Sequence, residues 1–158
     1  MKALRFMVCA IMALSISLTA MSQSRVFNNY PDNKDISTVY ISKAAMRLGL
    51  SMAGSESDMK DMMKCIKNPE GMEVITASSP EAIAIVKKDS KVKIKNLGLD
   101  LILDVNDDGE NVNIYAGKMA DDGIMRDLLI ETSENGEYTI VYIRGEIDAN
   151  SLTKLFNK

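Results

Sequence analysis

The sequence predicts an α+β domain, a mainly antiparallel sheet with a C-terminal four-stranded meander and helices packed on one face. Three observations carry this. From Leu99 onward, short alternating runs are separated by Asn106-Asp107-Asp108-Gly109, Asp121-Asp122-Gly123 and Glu134-Asn135-Gly136, turns in which glycine accepts positive φ without steric penalty. Upstream, apolar residues recur instead at helical spacing, in segments opened by serine and closed by glycine. Ahead of both lies an apolar leader that does not belong to the fold.

That leader, Met1 to Ser22, has the form of a cleavable export signal. Lys2 and Arg5 supply the positive start, Phe6 to Ala20 the apolar run, and Ala20-Met21-Ser22 small residues at the two positions a signal peptidase reads. A membrane-spanning helix needs about 20 apolar residues; this run is shorter and is cut by Ser15, Ser17 and Thr19. Cys9 sits inside the run and not at the new N-terminus, so no lipoprotein is expected. The expected product is a single globular α+β domain over residues 23–158, periplasmic or secreted, with no transmembrane segment after cleavage.

Removing the leader changes the composition that matters. It holds two of the 19 basic residues and none of the 22 acidic ones, so the net charge moves from −3 to −5. An exported acidic domain has no general attraction for nucleic acid, which is excluded as a partner. Cys65 is the sole cysteine left, so no internal disulfide forms and stability rests on packing. The chain has no histidine, which excludes Ser-His-Asp and Cys-His catalysis and histidine-based metal sites. Without tryptophan and with seven other aromatics after the leader, it offers no stacking platform for sugars or bases.

The elements follow in order. Ile36 to Ile41 is rich in β-branched and aromatic residues and predicts a strand. Ser42 caps a helix from Lys43 to Met52, and a second helix is expected from Ser57 to Lys67, where Met59, Met62, Met63 and Ile66 recur at i, i+3, i+4 and i+7. Asn68-Pro69-Glu70-Gly71 is a turn signal before a short strand, Glu73 to Ala77. Ser79-Pro80 starts a helix that runs to Leu97 before Gly98, although Lys91 to Lys95 alternates locally as a strand does. The meander comprises Leu99 to Val105, Asn111 to Lys118, Ile124 to Thr132 and Tyr138 to Arg144. Its Val112, Ile114 and Ala116 face one side and Asn111, Asn113 and Tyr115 the other, which is expected to be solvated. Asp148 caps a last helix with Leu152, Leu155 and Phe156 as its apolar stripe.

Four patterns have the residue types for chemistry. Asp104, Asn106 and Asp108 followed by Gly109 match the first half of a calcium loop, but position 12 is Tyr115 where a bidentate glutamate belongs, and hairpin chemistry explains the same residues. Met46, Met52, Met59, Met62, Met63 and Cys65 are soft donors suited to copper(I), yet their helical spacing suits core packing. Ser57-Asp58-Met59-Lys60 fits the S-x-x-K of serine acyl enzymes without their other motifs, and Ser57 is the better helix cap. Lys87, Lys91 and Lys95, with Lys88 and Lys93, could meet anionic headgroups or form ordinary solvated helix surface.

The order of landmarks, with "FNNYPDNKDISTVYISKAAM" from Phe27, "DVNDDGENVNIY" from Asp104 and "GEIDANSLTKL" from Gly145, resembles domain-of-unknown-function family 4252. "VYISK" at Val39 to Lys43 is its sharpest element. The resemblance implies a small exported protein of Gram-negative bacteria and brings no activity, substrate or site residue. The sequence therefore assigns no catalytic, cofactor-binding or metal residue and no cofactor. The expected function is a non-enzymatic module that binds an unknown envelope protein or ligand. The alternatives are a carboxylate-based hydrolase, using Asp104, Asp107, Asp108 and Glu110, and a weak calcium-binding protein through residues 104–109.

Overall fold

Strand β1, Ile36–Ser42, hands over directly to helix α1, Lys43–Met52, where the Ser42 hydroxyl accepts the Ala45 amide at 3.2 Å and so starts the first turn. The computed structural model describes residues 25–27, 30–52 and 65–156. β2, Ile66–Ala77, precedes α2, Pro80–Leu97. Ser79 is extended and accepts the Ala82 amide, Pro80 fills the first helical position, and Gly98 closes the helix at φ 65°. Lys91 to Lys95 is thus helical, as the longer apolar period requires.

The meander is β3, Asp100–Asp107; β4, Glu110–Ala116; β5, Ile124–Glu134; and β6, Glu137–Asp148. Two of its turns are two-residue hairpins with both centres at positive φ, Asp108-Gly109 (44° and 85°) and Asn135-Gly136 (51° and 79°), the conformation that matches strand twist. Helix α3, Ala149–Phe156, starts where the Asp148 carboxylate accepts the Asn150 and Ser151 amides. Among the described residues no helix is long and apolar enough to cross a membrane.

All six strands join one sheet in the order β1-β2-β6-β5-β4-β3, every neighbouring pair antiparallel. β2 and β3 therefore run the same way four places apart, and α2 crosses the sheet to connect them. Alternation along the strands sorts the core into two layers. On the first face, Met72, Val74, Ile114, Leu128, Val141 and Ile143 pack with Met46 of α1 and Leu152 of α3. On the second, Ile75, Ala77, Leu129, Ile140 and Tyr142 pack with Ala82 and Val86 of α2 and with Phe27.

The α+β class and the meander stand as expected; the helices, however, cover both faces and not one. The side carrying Asn113 and Tyr115 is covered in part by α2, which has to cross some face to reach β3. A second difference lies in β2. Asn68 to Gly71 does not turn but continues the strand through two irregularities, at Ile66/Asn68 and Pro69/Gly71. A bulge absorbs Pro69, whose missing N–H would interrupt a regular ladder. The expected helix from Ser57 lies outside the described residues except at its end, where Ile66 and Lys67 already belong to β2.

Candidate functional site

The residues singled out for calcium do not form a loop. Asp104 to Asp107 are extended β3 residues, Asp104 opposite Asn113 and Asp107 opposite Glu110, and the turn is Asp108-Gly109 alone. Extended backbone sets Asp104 and Asn106 about 7 Å apart along the strand, where a calcium loop would wrap its ligands round one point. Nor do the acidic residues converge: Asp104 shares the second face with Asn113, whereas Asp107 and Glu110 share the first with Val105 and Val112.

Met46 and Cys65 are buried together in the first core layer, with Met72 and Met125. Met52 ends α1; Met59, Met62, Met63 and the Ser57-to-Lys60 motif lie outside the described residues. Along α2, Lys87, Lys88, Lys91 and Lys95 are exposed and Lys93 is half-buried. The Lys87 ammonium sits 5.1 Å from the centre of the Tyr138 ring, a cation–π contact that ties one lysine of the stripe to the sheet.

Side chains that the sequence placed in solvent instead build the polar interior of the second face. Glu131 of β5 is 9% exposed and accepts the Ser90 hydroxyl from α2. Tyr138 and Tyr115 also hydrogen-bond to Glu131. Burial pushes both phenols above their ordinary range, and the adjacent Glu131 carboxylate adds to the shift. Asn113, opposite Glu131, has a buried Oδ1 with no hydrogen bond among the described residues. At the other end of the sheet, Glu73 accepts the Val26 and Phe27 amides at 2.7 and 3.0 Å and so pins the segment before β1. Tyr30 donates to Asp89 of α2 at 2.5 Å.

A third polar group sits where irregularities line up across three strands. Asp127, at φ 59° in the β5 bulge, accepts the Gly145 amide at 3.1 Å and hydrogen-bonds to Tyr142. Gly145 in turn faces the Pro69 irregularity of β2. An open cleft of about 470 Å³ lies beside this bulge, between the end of α2 and the β4–β5 loop, lined by Leu97, Leu99, Lys118, Arg126 and Asp127 among others. Arg126 is already paired there with Glu146 at 3.1 Å and with Glu70 at 3.9 Å.

The chain matches the family model described as Domain of unknown function (DUF4252) over residues 30–155, from the entry to β1 through nearly all of α3. It belongs to that family. No curated protein and no solved structure matches it.

The most exposed element of this DUF4252 domain is β3. Only Leu103 among its eight residues is even half-buried, and Leu101, Ile102 and Val105 are 52, 49 and 39% exposed. β3 ends the sheet, so one edge of it is unpaired among the described residues. The opposite edge strand, β1, is buried or half-buried everywhere but at Ser37. Sequence reasoning treated β3 as an ordinary meander strand. The available signal was its composition, three aspartates within eight residues around an apolar run.

Proposed function

We propose that this DUF4252 protein is a non-enzymatic binding module exported to the cell envelope. The observation that carries the reading is the exposed apolar trio Leu101, Ile102 and Val105 on an edge strand, with exposed Leu97 at the end of the preceding helix. A small domain gains nothing in stability by exposing three large apolar side chains on one short edge strand, and such exposure marks interaction surfaces. The polar side chains of the second face support the same reading. Glu73, Glu131, Ser90 and Asp89 are each engaged in holding the entry segment or α2 to the sheet. Export rests on the Met1 to Ser22 motif.

The test is affinity capture from envelope extract with the protein and with a Leu101→Thr/Ile102→Thr/Val105→Thr variant, whose three threonines are β-branched and suit the strand. A component recovered by the protein and lost with the variant is the expected result. Equal recovery by both, or recovery of nothing, would reject the reading. The mass of the protein isolated from the envelope fraction tests export separately, the expected N-terminus being Gln23.

A further inference from the structure

We propose that the outer edge of β3 docks an extended basic segment of a partner protein as a seventh strand of the sheet. The proposal rests on the binding-module reading above and names the partner's chemistry.

The backbone supplies the first argument. Asp107 and Glu110 flank a two-residue hairpin and form the hydrogen-bonded pair that closes it, so bonding alternates back along β3 and Val105 and Leu103 also point their amides at β4. Asp104 and Asn106 are left with N–H and C=O groups directed outward. They are an unfilled ladder of the kind an added strand completes.

Charge supplies the second. β3 carries Asp100, Asp104 and Asp107, the turn adds Asp108, and neither contains a basic residue. Among the described residues, none of these four aspartates is in an ion pair. The complementary occupant is a strand that alternates lysine or arginine with apolar residues, its cations beside Asp104 on the second face and its apolar side chains against Leu103 and Val105 on the first.

The same charges argue against a second copy of this chain. Antiparallel pairing of two β3 strands through their outward groups, centred on Asp104, sets Asp104 opposite its own copy, and like charges directly opposite are destabilising. The bulge at Ile102, between Leu101 and Leu103, further breaks the flat edge that self-association needs. Charge and bulge protect the edge from indiscriminate pairing, while the apolar trio remains available to a partner of opposite charge.

The test uses the purified protein and two acetylated nine-residue peptides, one alternating lysine with valine and one alternating glutamate with valine. Fluorescence anisotropy is expected to show the basic peptide binding at least about tenfold more tightly, and hydrogen exchange to show new protection at the Asp104 and Asn106 amides. Asn106→Pro removes an outward donor while leaving the aspartates and the β3–β4 ladder in place, and is expected to weaken binding about tenfold. Should that variant fail to fold, as judged by circular dichroism, Asp100→Asn/Asp104→Asn keeps the backbone and is expected to weaken the basic peptide by a similar factor. The proposal is overturned by absence of binding at millimolar peptide, by equal affinity for the two peptides, by binding without protection of the two amides, or by dimers that form through β3. If the peptides fail while envelope capture still depends on Leu101, Ile102 and Val105, the strand-addition proposal falls and the binding-module reading stands.

Discussion

Ser90 on α2 donates its hydroxyl to the Glu131 carboxylate on β5, and both groups are buried between the helix and the sheet. Ser90 lies on the same helical line as Ala82 and Val86, so this polar contact sits where a third apolar residue would otherwise pack. An apolar contact leaves a helix free to rotate by a fraction of a turn, whereas a hydrogen bond to a fixed carboxylate does not. Ser90→Ala should therefore lower stability by about 1–3 kcal/mol, the range for a lost bond to a charged group whose partner stays buried. The urea midpoint of unfolding measures it, with exposed Ser37→Ala as a comparison expected to change little.

Glu73 has the corresponding task at the other end. Its two oxygens hold the Val26 and Phe27 amides and thereby seat the Phe27 ring, buried to 3% exposure, edge-on against Tyr142 at 5.9 Å between centroids. Glu73→Ala is expected to release this segment, with faster tryptic cleavage after exposed Arg25 and a stability loss of about 1–3 kcal/mol. Unchanged cleavage kinetics would show that Phe27 packing alone suffices.

These two contacts also mark where the sequence stopped being informative. Helix and hairpin boundaries were legible because they are local: Ser79-Pro80, Gly98, Asp108-Gly109 and Asn135-Gly136 carry their own backbone preferences, and each does what its chemistry demands. Faces were harder. Alternation in β4 separates Asn113 and Tyr115 from Val112 and Ile114 correctly but cannot say that α2 will lie over the polar side, since that follows from β2 and β3 being four places apart in the sheet. Ser90 and Glu131 were invisible for the same reason, each being an ordinary surface residue until the crossover joins them. The consecutive buried Val74 and Ile75 did hold the clue, because a strand apolar on both sides has both sides covered. Asn68 to Gly71 misled in the opposite direction, as Pro and Gly serve a bulge as well as a turn.

Gly145 sits where irregularities of three strands line up, and two of its properties separate experimentally. Its φ is 141°, and a Cβ there would lie 2.3 Å from the Asn68 carbonyl oxygen, well inside contact distance. Gly136, at φ 79°, has nothing within 4 Å of its would-be Cβ. Gly136→Ala is expected to cost about 1–2 kcal/mol, the conformational term alone. Gly145→Ala carries overlap with backbone in addition and should exceed it by at least about 2 kcal/mol, or leave no folded protein. Comparable melting temperatures for the two variants would mean that β2 yields at the Pro69 bulge.

Alkaline pH should unfold the protein through its tyrosines. Tyr138 and Tyr142 are raised above the ordinary phenol range chiefly by burial, with the nearby carboxylates of Glu131 and Asp127 acting in the same direction; Tyr30 is raised by burial and by its bond to Asp89. The folded chain thus holds these protons more tightly than the unfolded chain, in which tyrosine titrates near about pH 10. Their contribution is complete below that pH and is lost as pH rises above it, because unfolding then releases protons. For Tyr138 the loss approaches about 1.4 kcal/mol per pH unit. Tyr138→Phe removes the bond to Glu131 and should be less stable than the parent at pH 8 by about 1–3 kcal/mol. It has no phenol to ionise, so its stability falls less steeply, and urea midpoints measured from pH 8 to pH 11 should converge with those of the parent. Parallel curves across that range would mean that the Tyr138 phenol ionises equally in both states, which its burial beside Glu131 does not allow.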